Sequence, residues 1–139
     1  IGADVIVGFP GETEEEFKKT LNFIKDLPLA YLHVFTYSER ENTPAIAMDG
    51  VVSSQDRSKR SKQLRILSNK LQRAFYKRYI KTEHTSLFEQ DNREGYLFGF
   101  TDNYIKIKIP FRSDYCRTKQ KIKLMEIDTD GIMKADLIH

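Results

Sequence analysis

The spacing of apolar positions changes twice along this chain. Ala3-Asp4-Val5-Ile6-Val7-Gly8-Phe9 is almost wholly apolar and ends at Pro10-Gly11, the pattern of a parallel strand buried on both faces. Thr13-Glu14-Glu15-Glu16 then has the form of a capping box, with Thr13 as N-cap and Glu16 folding back to it. The three glutamates also suit the positive end of a helix dipole. Phe17, Leu21 and Ile24 follow at helical spacing, and Pro28 stops the helix. Tyr31 to Tyr37 reads as a second strand. Strand, helix and strand of this length predict a right-handed parallel crossover. Two parallel strands do not make a stable sheet alone, so the unit reads as part of a barrel or larger sheet.

A loop from Ser38 to Val52 precedes a long helical pattern over Ser54 to Ile80. Leu64, Leu67, Leu71, Ala74, Phe75 and Arg78 fall on one stripe at steps of three and four. Lys59, Lys62, Arg65, Lys70, Arg73 and Lys77 gather on the opposite face. The last third shifts to short alternating runs. Thr85–Gln90, Gly95–Phe100, Tyr104–Ile109, Lys121–Ile127 and Ile132–Ile138 are five strand candidates, and Asp130-Gly131 is a hairpin signal. Five short strands in so few residues predict a small barrel of OB type. The expected fold class is therefore α/β followed by all-β, with the division near Lys81 to His84: residues 1–81, then 82–139.

Charge sharpens this division. Residues 1–50 carry four Lys/Arg against nine Asp/Glu, a balance of −5, whereas residues 51–81 carry ten basic groups and one acid, +9. Residues 82–139 hold nine and ten, −1. A basic middle predicts an anion-facing surface, although a merely solvated helix face has the same look. Forty per cent hydrophobic and 31% charged residues describe a chain able to bury a core. The longest apolar run of the first strand, Val5-Ile6-Val7, is far too short to span a bilayer, and no secretory signal is visible. A single cysteine, Cys116, excludes an internal disulfide framework and an all-cysteine metal site. These features predict a reduced, cytoplasmic setting. The start at Ile1 suggests a piece of something longer.

Gly8-Phe9-Pro10-Gly11-Glu12-Thr13 lies between a strand end and a helix start, where glycines permit close ligand approach and free N–H groups are on offer. It is not a phosphate-binding Walker loop, since no Gly-Lys-Ser/Thr follows. The longer run Gly2 to Thr13, together with Leu32-His33-Val34-Phe35-Thr36-Tyr37-Ser38-Glu39-Arg40-Glu41-Asn42-Thr43-Pro44-Ala45, closely resembles the last two strands of the radical S-adenosylmethionine barrel of methylthiotransferases. The long basic helix is similar to that family's, and the end resembles its C-terminal TRAM domain, a small RNA-binding barrel. Gly99-Phe100-Thr101-Asp102-Asn103-Tyr104-Ile105-Lys106 resembles the branch acting on threonylcarbamoyladenosine in transfer RNA. The isopentenyladenosine branch and the branch acting on a ribosomal protein stay open as alternatives.

The resemblance implies a full enzyme that methylthiolates C2 of the modified adenosine beside the anticodon, using S-adenosylmethionine and two four-iron four-sulfur clusters. Each cluster takes three cysteines, so Cys116 alone implies a fragment inactive by itself, with the N-terminal part of the chain missing and no cofactor expected on it. By the same likeness, Gly8, Phe9, Pro10, Gly11 and Glu12 would sit beside the methionyl and ribose parts of the cofactor. Phe35 and Thr36 would lie near its adenine. Glu12 either contacts the ligand or merely neighbours the helix start, and Arg40 either holds a carboxylate or phosphate or is a plain surface arginine.

For a transfer RNA anticodon stem-loop the expected equipment is cations for phosphate and rings for unstacked bases. Besides the basic helix face, Asn103, Tyr104, Lys106 and Lys108 are the expected RNA contacts, with Tyr104, Lys106 and Lys108 exposed. Tyr96, Phe98 and Phe100 share one strand face, so some of these rings are expected in the barrel core. Lys119, Lys121 and Lys123 form a second alternating basic row. His33 is expected to be packed, and His84 and His139 carry no assigned role. Two other classes remain: an RNA-binding module without chemistry, and a self-associating piece with an open strand edge.

Overall fold

The computed structural model describes residues 1–138. They form two compact units that divide inside one long helix, the first ending at Gln72 and the second starting at Arg73. The first unit begins with strand β1 (Gly2–Val7), helix α1 (Glu14–Lys25) and strand β2 (Tyr31–Thr36). A single 3-10 turn at Pro44–Ala47 follows, and helix α2 (Ser54–Arg78) starts after it. β1 and β2 pair in parallel, with Gly2 opposite Tyr31 and Val7 opposite Thr36. The N-cap half of the capping box forms: the Thr13 hydroxyl accepts from the Glu16 N–H at 3.2 Å. α1 ends before Pro28, with Asp26 as its C-cap.

The first strand is not buried on both faces. Alternation sends Val7, Leu32 and, less deeply, Ala3, Val5 and Val34 into a core with Phe17, Ile24, Leu64 and Leu67. Asp4, Ile6, His33 and Phe35 project to the other face, where Ile6 is 59% and Phe35 53% exposed. The continuous apolar run gave no sign of this, because a two-stranded sheet has helices on one side only. His33 is likewise not packed in a core: it is exposed and meets Tyr31 edge-on, ring centroids 5.0 Å apart. The outer edge of β2 is partly satisfied from α2, since the Ser68 hydroxyl accepts from the Leu32 N–H (2.9 Å) and donates to its carbonyl (3.1 Å).

The second unit is a closed barrel of five strands: β3 (Glu83–Phe88), β4 (Tyr96–Thr101), β5 (Lys106–Pro110), β6 (Lys119–Ile127) and β7 (Met133–Leu137). Their order around the barrel is β3-β4-β5-β7-β6, closing on β3, and only β5 and β7 run parallel. This is the topology of an OB-type barrel. Leu97, Ile105, Ile107, Ile109, Ile122, Leu124 and Met133 fill the interior. Tyr76, Phe75, Tyr79 and Ile80, from the end of α2 and the residues after it, pack on this core rather than on the first. The hairpin at Asp130-Gly131 forms as its sequence predicts, with Gly131 at φ 82° joining antiparallel β6 and β7.

The expectation that some of Tyr96, Phe98 and Phe100 lie in the barrel core is met only as burial: Phe98 is buried, but none of the three joins the interior cluster. Leu97 points inward, so the residues an odd number of places away, Tyr96, Phe98 and Phe100, face outward, where Phe100 is 43% exposed and Phe98, covered by Lys106 and Arg93, is 9% exposed. On α2, Leu64 and Leu67 are buried as expected, but Ala74 and Arg78 are exposed. The buried stripe instead continues backward through Ser61, Arg60 and Arg57.

Candidate functional site

In the first unit the loops after β1 and β2 lie at the C-terminal ends of parallel strands, where α/β folds place their ligands. A cleft of about 470 Å³ there is lined by Ile6, Phe35, Thr36, Tyr37, Arg40 and Thr43, among others. Three of the sequence-selected residues, Phe35, Thr36 and Arg40, thus share one surface. Phe9 reaches that side by an edge-on contact with Tyr37 at 5.4 Å. Gly8, Pro10, Gly11 and Glu12 do not line the cleft.

Glu12 is committed to the loop itself. One carboxylate oxygen accepts from the Gly8 N–H at 3.0 Å and from Arg60 at 2.9 Å, and Arg60 also donates to the Glu12 carbonyl at 2.9 Å. Arg60 also pairs with Glu14 at 3.4 Å. The Glu12 and Arg60 side chains are only 15% and 6% exposed.

The loop after β2 is held by Arg57. Its Nε donates to the Val52 carbonyl at 2.8 Å, and its terminal nitrogens donate to the Tyr37 carbonyl and to both oxygens of Glu39 at 2.5 and 3.2 Å. The bidentate hydrogen bonding raises the guanidinium pKa further and lowers that of the Glu39 carboxyl. Gly8, at φ 79°, lies where any Cβ would come within 2.4 Å of the Arg57 Cγ. Gly8 is therefore required both by its backbone and by the arginine packed on it. Sequence reading passed over Arg57 and Arg60 as two more cations in a basic helix. The signal was present: Leu71, Leu67 and Leu64, continued backward by the same steps of four and three, fall on Arg60 and Arg57.

The other cations of α2 make no ion pair among the described residues. Lys59, Lys62, Arg65, Lys70, Arg73 and Lys77 are all exposed, so the expected basic face is there. In the second unit Tyr104 is 78% exposed at φ 65°, in the turn between β4 and β5. The Thr101 hydroxyl fastens this turn, accepting from the Ile105 N–H at 2.9 Å and donating to the Asn103 side chain at 2.5 Å. Lys106 is half-buried.

Lys108 is not the exposed cation the alternation predicts. Its side chain is 5% exposed and its ammonium contacts Asp128 at 2.5 Å and Asp130 at 2.9 Å. Burial pulls its pKa down, but the two carboxylates more than offset this, and the net shift is upward. Hydrogen bonds from Lys108 hold both aspartates below their ordinary range. The reason is the Asp-x-Asp spacing of the β6–β7 turn, which places two carboxylates over the outer face of β5, an event no local pattern announces.

Cys116 is half-buried and its Sγ donates to the Gln90 carbonyl at 3.2 Å. Among the described residues no group of three or more His, Cys, Asp or Glu is arranged to hold a metal, so the donor set here does not fit an iron–sulfur cluster. His84 bridges Thr82 at 2.7 Å and Asp102 at 3.1 Å, a contact that ties β3 to the β4–β5 turn. His139 lies outside the described residues. Among the described residues no helix is long and apolar enough to cross a membrane.

No family model matches the chain. Curated relatives do. A threonylcarbamoyladenosine tRNA methylthiotransferase of Rickettsia prowazekii is 39% identical over 139 residues, covering 99% of this chain, and one of Bacillus subtilis is 37% identical over 130 residues, covering 91%. These 139 residues belong to the tRNA methylthiotransferase family. The chain spans 31% and 29% of the length of those two relatives. A tRNA-2-methylthio-N(6)-dimethylallyladenosine synthase of Symbiobacterium thermophilum is 34% identical over 79% of the chain. Both adenosine branches are thus represented among the relatives. That family is one of radical S-adenosylmethionine enzymes.

Proposed function

We propose that this chain is the part of a threonylcarbamoyladenosine-type tRNA methylthiotransferase that completes the rim of the S-adenosylmethionine site and carries RNA-binding surface. The observation that carries the reading is the exposed cation row of α2, Lys59, Lys62, Arg65, Lys70, Arg73 and Lys77, in a chain whose relatives are named as transfer RNA-modifying enzymes. Phosphates would be held by Lys59, Lys62, Arg65, Lys70, Arg73 and Lys77, and by Lys106 on the barrel. Tyr104 and Asn103, presented on a fastened turn, would meet a base or sugar. Lys108 drops out of this set because its charge is already matched.

For the cofactor, the cleft has the character a sulfonium nucleoside needs. Ile6 and Phe35 offer apolar contact to a purine, and Arg40 offers a cation for a carboxylate. The Tyr37 hydroxyl is buried beside it without a hydrogen-bond partner. Gly8 to Glu12 would act by shaping the rim through Arg60. When bound in the whole enzyme, S-adenosylmethionine supplies the radical and the methyl group, with two iron–sulfur clusters held elsewhere in that enzyme. Lacking their ligands, this chain alone would be catalytically silent, and its setting is cytoplasmic.

The test is a titration with an anticodon stem-loop bearing threonylcarbamoyladenosine, beside an unmodified stem-loop and one bearing isopentenyladenosine, at two salt concentrations. Salt-dependent binding with preference for the threonylcarbamoyl RNA is expected. Equal binding to all three reduces the chain to a general RNA handle, and absence of binding at low salt refutes the RNA reading.

A further inference from the structure

We infer that the outer face of the barrel, across β6, β3, β4 and β5, is a stacking platform for unpaired bases of single-stranded RNA, centred on Leu87 and Phe100. This deepens the RNA reading above and rests on it. The strand register decides the geometry. Lys119 lies opposite Leu87, Leu87 opposite Phe100, and Phe100 opposite Lys106, one lateral row across four adjacent strands. Its two middle members are apolar and exposed, 53% for Leu87 and 43% for Phe100. Its two ends are cations. The barrel has its core on the other side, so folding does not call for an exposed apolar pair here.

The neighbouring side chains extend the same chemistry. The Lys106 ammonium sits 5.4 Å from the Phe98 ring centroid and 6.0 Å from that of Phe100. Arg93 lies 5.7 Å from Phe98 and pairs with Glu89 at 3.4 Å. A base laid on Phe100 and Leu87 would therefore have phosphate-binding groups on both sides. Only an unstacked base can offer its flat face, so the ligand class is a loop or single strand rather than a duplex.

The opposite half of this outer surface is closed to a polyanion. Lys108 and Lys134 are engaged by Asp128, Asp130 and Glu126, and the Lys108 ammonium already caps the Tyr96 ring at 4.6 Å. Three carboxylates for two lysines leave this half net negative. The β6–β7 turn thus sets the boundary of the platform, and an RNA strand is directed toward β3 and β6.

The full chain is titrated with a fluorescein-labelled oligouridine of about 12 nucleotides, the size range of one such barrel, and with a duplex of the same length. Phe100→Ser is expected to weaken oligouridine binding about ten-fold, from the loss of one stacking contact, and Leu87→Ser about three-fold, from the loss of apolar contact alone. Duplex binding through the α2 cations should not change. Phe100→Leu keeps the apolar area and guards against misfolding; it too should weaken binding, because the ring is what stacks. Lys119→Ser should lower the slope of log affinity against log salt by about 0.7, one phosphate contact. Wild-type binding that these variants leave unchanged overturns the platform while the RNA reading stands. Failure of the wild type to bind any RNA overturns both.

Discussion

The Tyr76 hydroxyl joins the end of α2 to the barrel through one hydrogen bond, and removing it isolates that bond. Tyr76 is 3% exposed and its oxygen accepts from the Lys106 N–H at 3.1 Å. Tyr76→Phe leaves the ring in the core and orphans a backbone donor at the start of β5. An orphaned buried donor costs about 1–3 kcal/mol, and release of a desolvated hydroxyl returns part of that, so about 1–1.5 kcal/mol is expected. For a unit of this size the midpoint of thermal unfolding should fall by about 4–10 °C. A second signature follows from titration. Burial raises the Tyr76 pKa above its ordinary value of 10.0, and the hydrogen bond from Lys106 opposes this only in part. A raised folded-state value means stability that is complete below the unfolded pKa and is lost as pH climbs through and beyond it. The wild type should therefore melt progressively lower above about pH 10, and Tyr76→Phe should show a flatter alkaline limb. Far-ultraviolet circular dichroism melts from neutral to alkaline pH measure both. An unchanged midpoint at pH 7 with an unchanged alkaline limb would refute the reasoning.

Arg60→Met should destabilise the first unit by about 3 kcal/mol, the low end for breaking a buried pair, because Glu12 keeps some access to water; urea unfolding gives the number. Gly8→Ala combines a left-handed backbone with a collision against Arg57 and should cost about 2–4 kcal/mol, read by the same assay. For Lys108 the sign runs through its partners. Asp128 and Asp130 have folded-state values depressed below the ordinary 3.8, so their contribution is complete above that value and is lost as pH falls through the depressed ones. Lys108→Met should therefore lower the barrel's melting temperature at neutral pH and make its decline on acidification shallower; an unaltered acid limb would count against the triad.

Arg57 and Arg60 give α2 a second role beside its exposed cation row. One face of the helix holds the loops after β1 and β2 by buried guanidinium groups, and another presents free cations to solvent. A helix with two such faces fixes the geometry of the rim while leaving its charge available, which an apolar stripe on the same helix would not do for polar loops.

Local chemistry was enough for the elements themselves. The Thr13 N-cap, the stop before Pro28, the Asp130-Gly131 hairpin and the Ile105/Ile107/Ile109 alternation each depend on neighbours a few residues away, and each forms within a residue or two of its expected place. The exposed cations of α2 were legible for the same reason, since helical period alone sorts them. Tertiary structure decided the rest. Whether β1 is covered on one face or two depends on what packs against it, not on its own run of apolar residues. Which side of β4 faces the core is settled by closure of the barrel, and that turned Tyr96, Phe98 and Phe100 outward. Lys108 lost its exposure to two aspartates brought over it by a turn about twenty residues away. Charges act through space on whatever the fold sets beside them, so a lysine's partners, and with them its availability to a ligand, are fixed only when distant segments meet.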